Sequence, residues 1–131
     1  IGPTTEIAAE VMENIIDIST TLPLNDSANR PYSIIGSRSH ASPELEAFVE
    51  EKRQEYGNVE FISAGSSLKL CLVAEGKADI YPRTGPTMEW DTAAGQAIAE
   101  NAGCKVLQYG TSDPLIYNKE NLLNPWFVVL R

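Results

Sequence analysis

Apolar residues in this chain fall into two kinds of spacing, short continuous runs and steps of three and four, and the change from one to the other divides it into elements. From Tyr32 the run YSIIG is rich in branched side chains and predicts a strand, and the polar SRSH after it predicts a turn. In SPELEAFVEEKRQEYG, Ser42 suits a helix cap, Pro43 the first helical position, and Glu44 and Glu46 the first turn. Leu45, Phe48 and Val49 mark that helix's buried stripe, and Gly57 ends it. VEFIS predicts the next strand. SSLKLCLVAEG is apolar nearly all round from Leu70 to Ala74, the pattern of a central helix covered on both sides and stopped at Gly76. ADIYP predicts a strand with Arg83 just beyond it. Over Trp90–Ala102, residues Ala93, Ala94, Ala97, Ile98, Asn101 and Ala102 recur at helical steps, so that face is expected to lie on a sheet, with Gly103 as the stop. KVLQ and WFVVLR are the last strands, separated by a turn-rich stretch containing Pro114, Asn118, Asn124 and Pro125. Residues 1–31 read poorly: Ile7, Ala8, Val11, Ile15 and Ile16 have partial helical spacing, whereas DISTTLPLNDSANRP reads as a strand and then a loop. Strands alternating with helices predict a layered α/β/α domain over residues 32–131, with a mixed sheet of about five strands and helices on both faces.

Composition narrows the class. With 131 residues, 43% of them hydrophobic, the chain can bury a core as one domain. No apolar run approaches the roughly 20 residues that cross a bilayer, and nothing at the start reads as a signal peptide. These features point to a cytoplasmic protein, and a peripheral position at the inner face of the cell membrane is compatible with them. Cys71 and Cys104 lie in apolar stretches without metal or disulfide spacing and are expected to be buried thiols. A formal charge of −8 argues against binding long nucleic acids, but a small anion needs only a few donors gathered in one place.

Such donors occur in the turns that follow strands, where open α/β sheets bind ligands. GSRSH places Ser37, Arg38, Ser39 and His40 in one loop; the alternative is a plain polar turn with His40 on the surface. AGSSLK leads from a strand into a helix. There Gly65 admits close backbone approach, the helix start offers N–H groups, and Lys69 adds charge one turn later; the alternative is a serine-capped helix with an outstretched lysine. Arg83 follows a strand and precedes Asp91 by eight residues. Asp91 itself suits a helix cap.

Taken together, these segments resemble the carboxy-terminal half of the 3′(2′),5′-bisphosphate nucleotidases of the CysQ type, within the inositol monophosphatase superfamily. WDTAAG at 90–95 looks like the superfamily's second signature, GSSLKLCLVAEGKADIYPR and TGP are similar to the CysQ pattern, and GSRSH is similar to the loop that distinguishes these nucleotidases. The resemblance covers residues 32–131. It implies a Mg²⁺-dependent phosphatase that removes the 3′-phosphate of adenosine 3′,5′-bisphosphate to leave AMP. It also implies that Asp91 is a metal ligand, that Ser37 and His40 contact the nucleotide, and that Gly65, Lys69 and Arg83 serve the substrate phosphates. Ser39 and Ser67 align with the same loops less closely.

The first signature of that superfamily, Asp-Pro-Leu-Asp-Gly-Thr with an upstream pair of glutamates, is missing. In SDPLIY the Asp113-Pro114-Leu115 run continues with Ile116 rather than a second aspartate, and Glu50-Glu51 sits inside an amphipathic helix. No catalytic residue is therefore expected within the chain, which reads as the carboxy-terminal domain of a larger enzyme whose amino-terminal metal-binding domain lies elsewhere; the start at Ile1 rather than methionine suggests a processed chain, an engineered end or a fragment of something longer. The alternatives are an inositol monophosphatase or sugar bisphosphatase of the same superfamily, or a non-catalytic nucleotide- or anion-binding module.

Overall fold

The computed structural model describes residues 3–24, 29–37 and 42–131. His40, Arg38 and Ser39 lie outside them, so the expectations for those residues have no structural counterpart here. Among the described residues the strands are β1 (Tyr32–Gly36), β2 (Val59–Ser63), β3 (Ile80–Arg83), β4 (Lys105–Gln108) and β5 (Phe127–Leu130). They form one sheet in the order β2-β1-β3-β5-β4, parallel across β2, β1 and β3 and antiparallel across β3, β5 and β4. The expected mixed five-stranded sheet is thus present. Its parallel half has all three strands ending on one side.

Helix α2 (Pro43–Tyr56) starts as its sequence dictates: Ser42 Oγ accepts from the Leu45 N–H at 3.2 Å, and the Gly57 N–H closes the far end on the Arg53 carbonyl. It buries Leu45 and Phe48, with Phe48 packed beside Ile34 and Ile80 on one face of the sheet. Helices α3 (Leu68–Glu75) and α4 (Glu89–Asn101) cover the other face, where Leu70, Val73 and Ala99 meet Ile35, Tyr81, Val106, Phe127 and Val129.

Several expectations need correction. Helix α1 (Pro3–Ile18) runs through Asp17 and Ile18, where a strand was expected, and residues 19–24 form none. The three-and-four spacing through Ile15 and Ile16 prevails there, and Ser19 Oγ closes the last turn on the Ile15 carbonyl. Helix α3 is covered mainly on one side: Lys69, Leu70, Val73 and Ala74 are buried, Cys71 and Leu72 are half-buried and Leu68 is exposed. Cys104 is buried as expected, whereas Cys71 is not.

A further correction concerns α4, whose inward face is Thr92, Gly95, Gln96 and Ala99, while Ala93, Ala94, Ala97, Ile98 and Asn101 face outward and Ala102 is half-buried. Both stripes have helical period, so spacing alone does not choose between them. Hydrogen bonding and close packing do. Thr92 and Gln96 are buried because Tyr117 bonds both, at 3.0 and 2.5 Å, and Gly95 is needed because a Cβ there would stand 3.2 Å from Leu70 Cβ and Cδ2 of α3.

At the sheet end opposite the end of the parallel strands, Asp79 gathers the chain. Its carboxylate accepts from Arg30 at 2.6 and 3.2 Å and from the Ser33 N–H at 2.8 Å, with Arg131 at 3.8 Å. Arg30 also donates to the Gly76 carbonyl at 2.7 Å, joining the start of β1 to the end of α3. No helix among the described residues is long and apolar enough to cross a membrane.

Asp79→Ala leaves a largely buried guanidinium without its acid, and a loss of about 2–3 kcal/mol is expected in urea unfolding. A loss below about 0.5 kcal/mol would reduce the network to surface decoration. Gly95→Val should cost about 1–3 kcal/mol through collision with Leu70, and an unchanged stability would contradict the close helix contact.

Candidate functional site

The parallel strands end at a cleft of about 490 Å³. Ser37 follows β1, Ser66 and Ser67 follow β2 and lead into α3, Arg83 is the last residue of β3, and α4 begins beside them with Trp90, Asp91 and Thr92. The cleft lies at the carboxyl ends of the parallel strands, as expected for an α/β sheet. A second hollow of about 350 Å³ shares Ser37, Tyr81, Arg83 and Pro86 with the first and extends toward Ser42, Thr84 and Leu45.

Lys69 sets the electrostatics of this cleft. The residue is 2% exposed, yet among the described residues Nζ has only the Ala64 carbonyl at 3.3 Å and the Tyr81 ring, whose centroid is 5.4 Å away. No carboxylate among the described residues lies within ion-pair distance of it. Burial pushes the ammonium below the usual lysine range, and the neighbouring Arg83 pushes in the same direction. Arg83 donates through one terminal nitrogen to the Pro86 carbonyl at 3.3 Å, and its Nε is buried without a partner among the described residues. Two cations crowded together, one buried and one with an orphaned donor, form a site that an anion would complete.

The start of α3 adds backbone donors. Ser66 adopts a φ of 57°, and Ser67 makes no side-chain capping bond, so the expected serine cap is not formed. Gly65 is exposed and outside the cleft lining, and a Cβ there would meet nothing within 4 Å.

Asp91 is the third residue of α4 and caps the helix start from there, with Met88 in the N-cap position. Its Oδ2 accepts from the Met88 N–H at 2.8 Å, while Oδ1 has no hydrogen bond among the described residues. The segment before β5 fixes that turn: the Asn124 amide donates to the Met88 carbonyl at 3.0 Å and to Thr92 Oγ1 at 3.0 Å. Glu89 accepts from the Asn118 and Lys119 N–H groups at 2.9 and 3.1 Å and from Lys119 Nζ at 2.5 Å, and the lysine holds its carboxyl below the usual range. Asp91 therefore faces the cleft from a braced helix start.

Asp91 is also the one carboxylate lining the cleft among the described residues, and no three His, Cys, Asp or Glu side chains there come together as a metal site. This donor set does not fit a complete magnesium shell, which needs about six hard ligands. It fits one contact to such an ion. Asp113 is exposed on the turn between β4 and β5, Glu50 and Glu51 are exposed on α2, and none of the three lines the cleft.

Of the residues singled out from the sequence, the fold brings together Ser37, Ser67, Lys69, Arg83 and Asp91. Sequence reasoning missed Tyr81, Ser66 and Thr87. Alternation along β3 puts Tyr81 on the same face as Arg83, a usable signal; nothing in the local sequence marks Ser66.

The chain is similar to the 3′(2′),5′-bisphosphate nucleotidase CysQ of Escherichia coli, with 50% identity over 101 residues covering 76% of this chain and 39% of that protein. The crystal structure of CysQ from Bacteroides thetaiotaomicron superposes with a TM-score of 0.84 and 55% identity, over 91% of this chain and 44% of that one. The inositol monophosphatase II of Staphylococcus aureus shares the fold, with a TM-score of 0.61 at 20% identity over 86% of this chain and 40% of that one. The chain thus spans about two fifths of the length of these relatives. The match to the inositol monophosphatase family runs over residues 9–126, from α1 to the threshold of β5, and on that extent the chain belongs to this family.

Proposed function

We propose that this chain forms the substrate-phosphate half of a Mg²⁺-dependent phosphatase that hydrolyses the 3′-phosphate of adenosine 3′,5′-bisphosphate, giving AMP and phosphate. The observation that carries this reading is the Lys69–Arg83 pair: a 2% exposed ammonium without an acid, beside a guanidinium with an unpartnered buried Nε. Similarity to the CysQ nucleotidases at about half identity supports a nucleotide bisphosphate as the anion. Ser37 and His40 are assigned to the nucleotide, with the adjoining 350 Å³ hollow available to its uncharged part. Gly65, Ser66 and Ser67 supply the turn before α3.

The hydrolysis transfers a phosphoryl group to water, which leaves the ribose hydroxyl free. This chain's part is to bind and orient. Lys69 and Arg83 neutralise phosphate oxygens and hold the ester fixed as negative charge redistributes toward the leaving oxygen. The low exposure of Lys69 strengthens that attraction. Magnesium, when bound, supplies further charge neutralisation and lowers the pKa of bound water. Asp91 Oδ1 is the contact this chain offers to it. The remaining carboxylates come from residues outside this chain, a second domain in the reading proposed here.

Titration of the 131-residue chain with adenosine 3′,5′-bisphosphate by calorimetry tests the assignment. Lys69→Met and Arg83→Met should each weaken binding about tenfold to a hundredfold, the worth of a charge-assisted hydrogen bond, and should weaken AMP less. Unchanged affinity in both variants would return the two cations to a structural role.

Lys69 also predicts two opposite pH trends. Its folded pKa lies below its unfolded value, so the unfolded chain binds more protons in the interval between them, and stability should rise with pH there. Binding of sulfate, whose charge is constant in that interval, should fall as the ammonium is lost. Both trends should vanish in Lys69→Met; their persistence would assign them to another group.

A further inference from the structure

The Lys69 ammonium is almost fully buried without a carboxylate among the described residues, and something must hold it in place without cancelling the charge the cleft uses. We propose that the aromatic face of Tyr81 is the positioning group for Lys69, an inference that rests on the anion-site reading for its purpose and on the geometry of three side chains for its substance. Nζ lies 5.4 Å from the Tyr81 ring centroid, within the range at which a cation is attracted by the ring quadrupole. The second contact, the Ala64 carbonyl at 3.3 Å, is long for a charged donor. The ring is itself immobile: Tyr81 is 3% exposed, and Phe127 of β5 packs against it edge to face at 5.7 Å and 85°.

The choice of partner has a chemical consequence. An aspartate beneath Lys69 would compete with the incoming phosphate for the same ammonium. A ring attracts the cation through its quadrupole and leaves its net charge intact for the ligand. The groups that face Lys69 across the cleft are Arg83 beside Tyr81 on β3 and Asp91 at the start of α4, with uncharged Ser66 and Ser67 at the start of its own helix. Arg83 repels the ammonium, so the ring is needed to keep it from withdrawing. Burial pushes the pKa of the tyrosine hydroxyl up and the charge of Arg83 partly offsets that push, an influence on Arg83's side of the ring and separate from the ring's face toward Lys69. Ring and hydroxyl thus address different cations, and substitution can separate them.

Two substitutions of the same shape test this: Tyr81→Phe, which removes the hydroxyl, and Tyr81→trifluorophenylalanine, which keeps the ring's size but depletes its π-face. The readouts are the alkaline titration of the Lys69 ¹⁵Nζ signal by NMR and the affinity for inorganic phosphate. Tyr81→Phe should leave the Lys69 titration in place, whereas fluorination should move that titration to lower pH and weaken phosphate about threefold to thirtyfold beyond whatever Tyr81→Phe loses. Identical behaviour of the two variants would overturn the inference, unchanged values reducing the ring to packing and equal losses assigning the effect to the hydroxyl through Arg83. If fluorination moves the Lys69 titration but the unsubstituted chain binds no phosphate, the ring–lysine contact stands and the anion-site reading falls. Circular dichroism melts of both variants establish that the fold is retained.

Discussion

The site depends on one buried charge. Carrying the Lys69 ammonium into an interior that offers a carbonyl at 3.3 Å and the face of a ring opposes folding, and the surrounding structure must tolerate it. Tolerance comes from rigidity nearby. Leu70, the next residue on α3, packs against Gly95 of α4 so closely that a Cβ there would stand 3.2 Å from it, and Phe127 packs on Tyr81 from β5. At the far end of the sheet the Asp79 network ties the start of β1, the end of α3 and the last residue of the chain together. A lysine on a mobile helix would swing outward to water. On this framework it stays beneath the cleft.

The same framework reconciles an acidic chain with the anion-binding role proposed for it. The formal charge of −8 resides largely on exposed positions, including Glu44, Glu46, Glu50 and Glu51 of α2, where water screens it. Lys69 and Arg83 share one small cleft with the ends of the parallel strands and the start of α3. Local potential in a low-dielectric recess outweighs a distant surface charge of opposite sign.

Much of this was legible in the sequence, and the failures have identifiable physical causes. The Ser42-Pro43 start of α2 and its glycine stop are local signals, read directly because capping depends on neighbours a few residues away. The sites after β1, β2 and β3 were legible because ligand-binding loops follow parallel strands. The buried face of α4 was not: the alanine stripe and the Thr92–Gly95–Gln96–Ala99 stripe have the same period, and the choice between them rests on Tyr117 and Asn124, more than twenty residues away. The capping role of Asp91 was legible because a carboxylate near a helix start accepts a free backbone N–H, but its place as third residue, bonded back to Met88, depends on where Asn124 fixes the preceding turn. Tyr81 was passed over because an aromatic in a strand reads as core, which it also is.

The central claim is that Lys69 and Arg83 grip a phosphate of the bound nucleotide from the floor of the cleft. A crystal structure of the chain grown with adenosine 3′,5′-bisphosphate tests it most directly. The account predicts a phosphate oxygen within about 3 Å of Lys69 Nζ and another within about 3 Å of the Arg83 guanidinium, with Nζ still over the Tyr81 ring. A nucleotide bound with both phosphates away from these two cations, or none bound at saturating concentration, would contradict it.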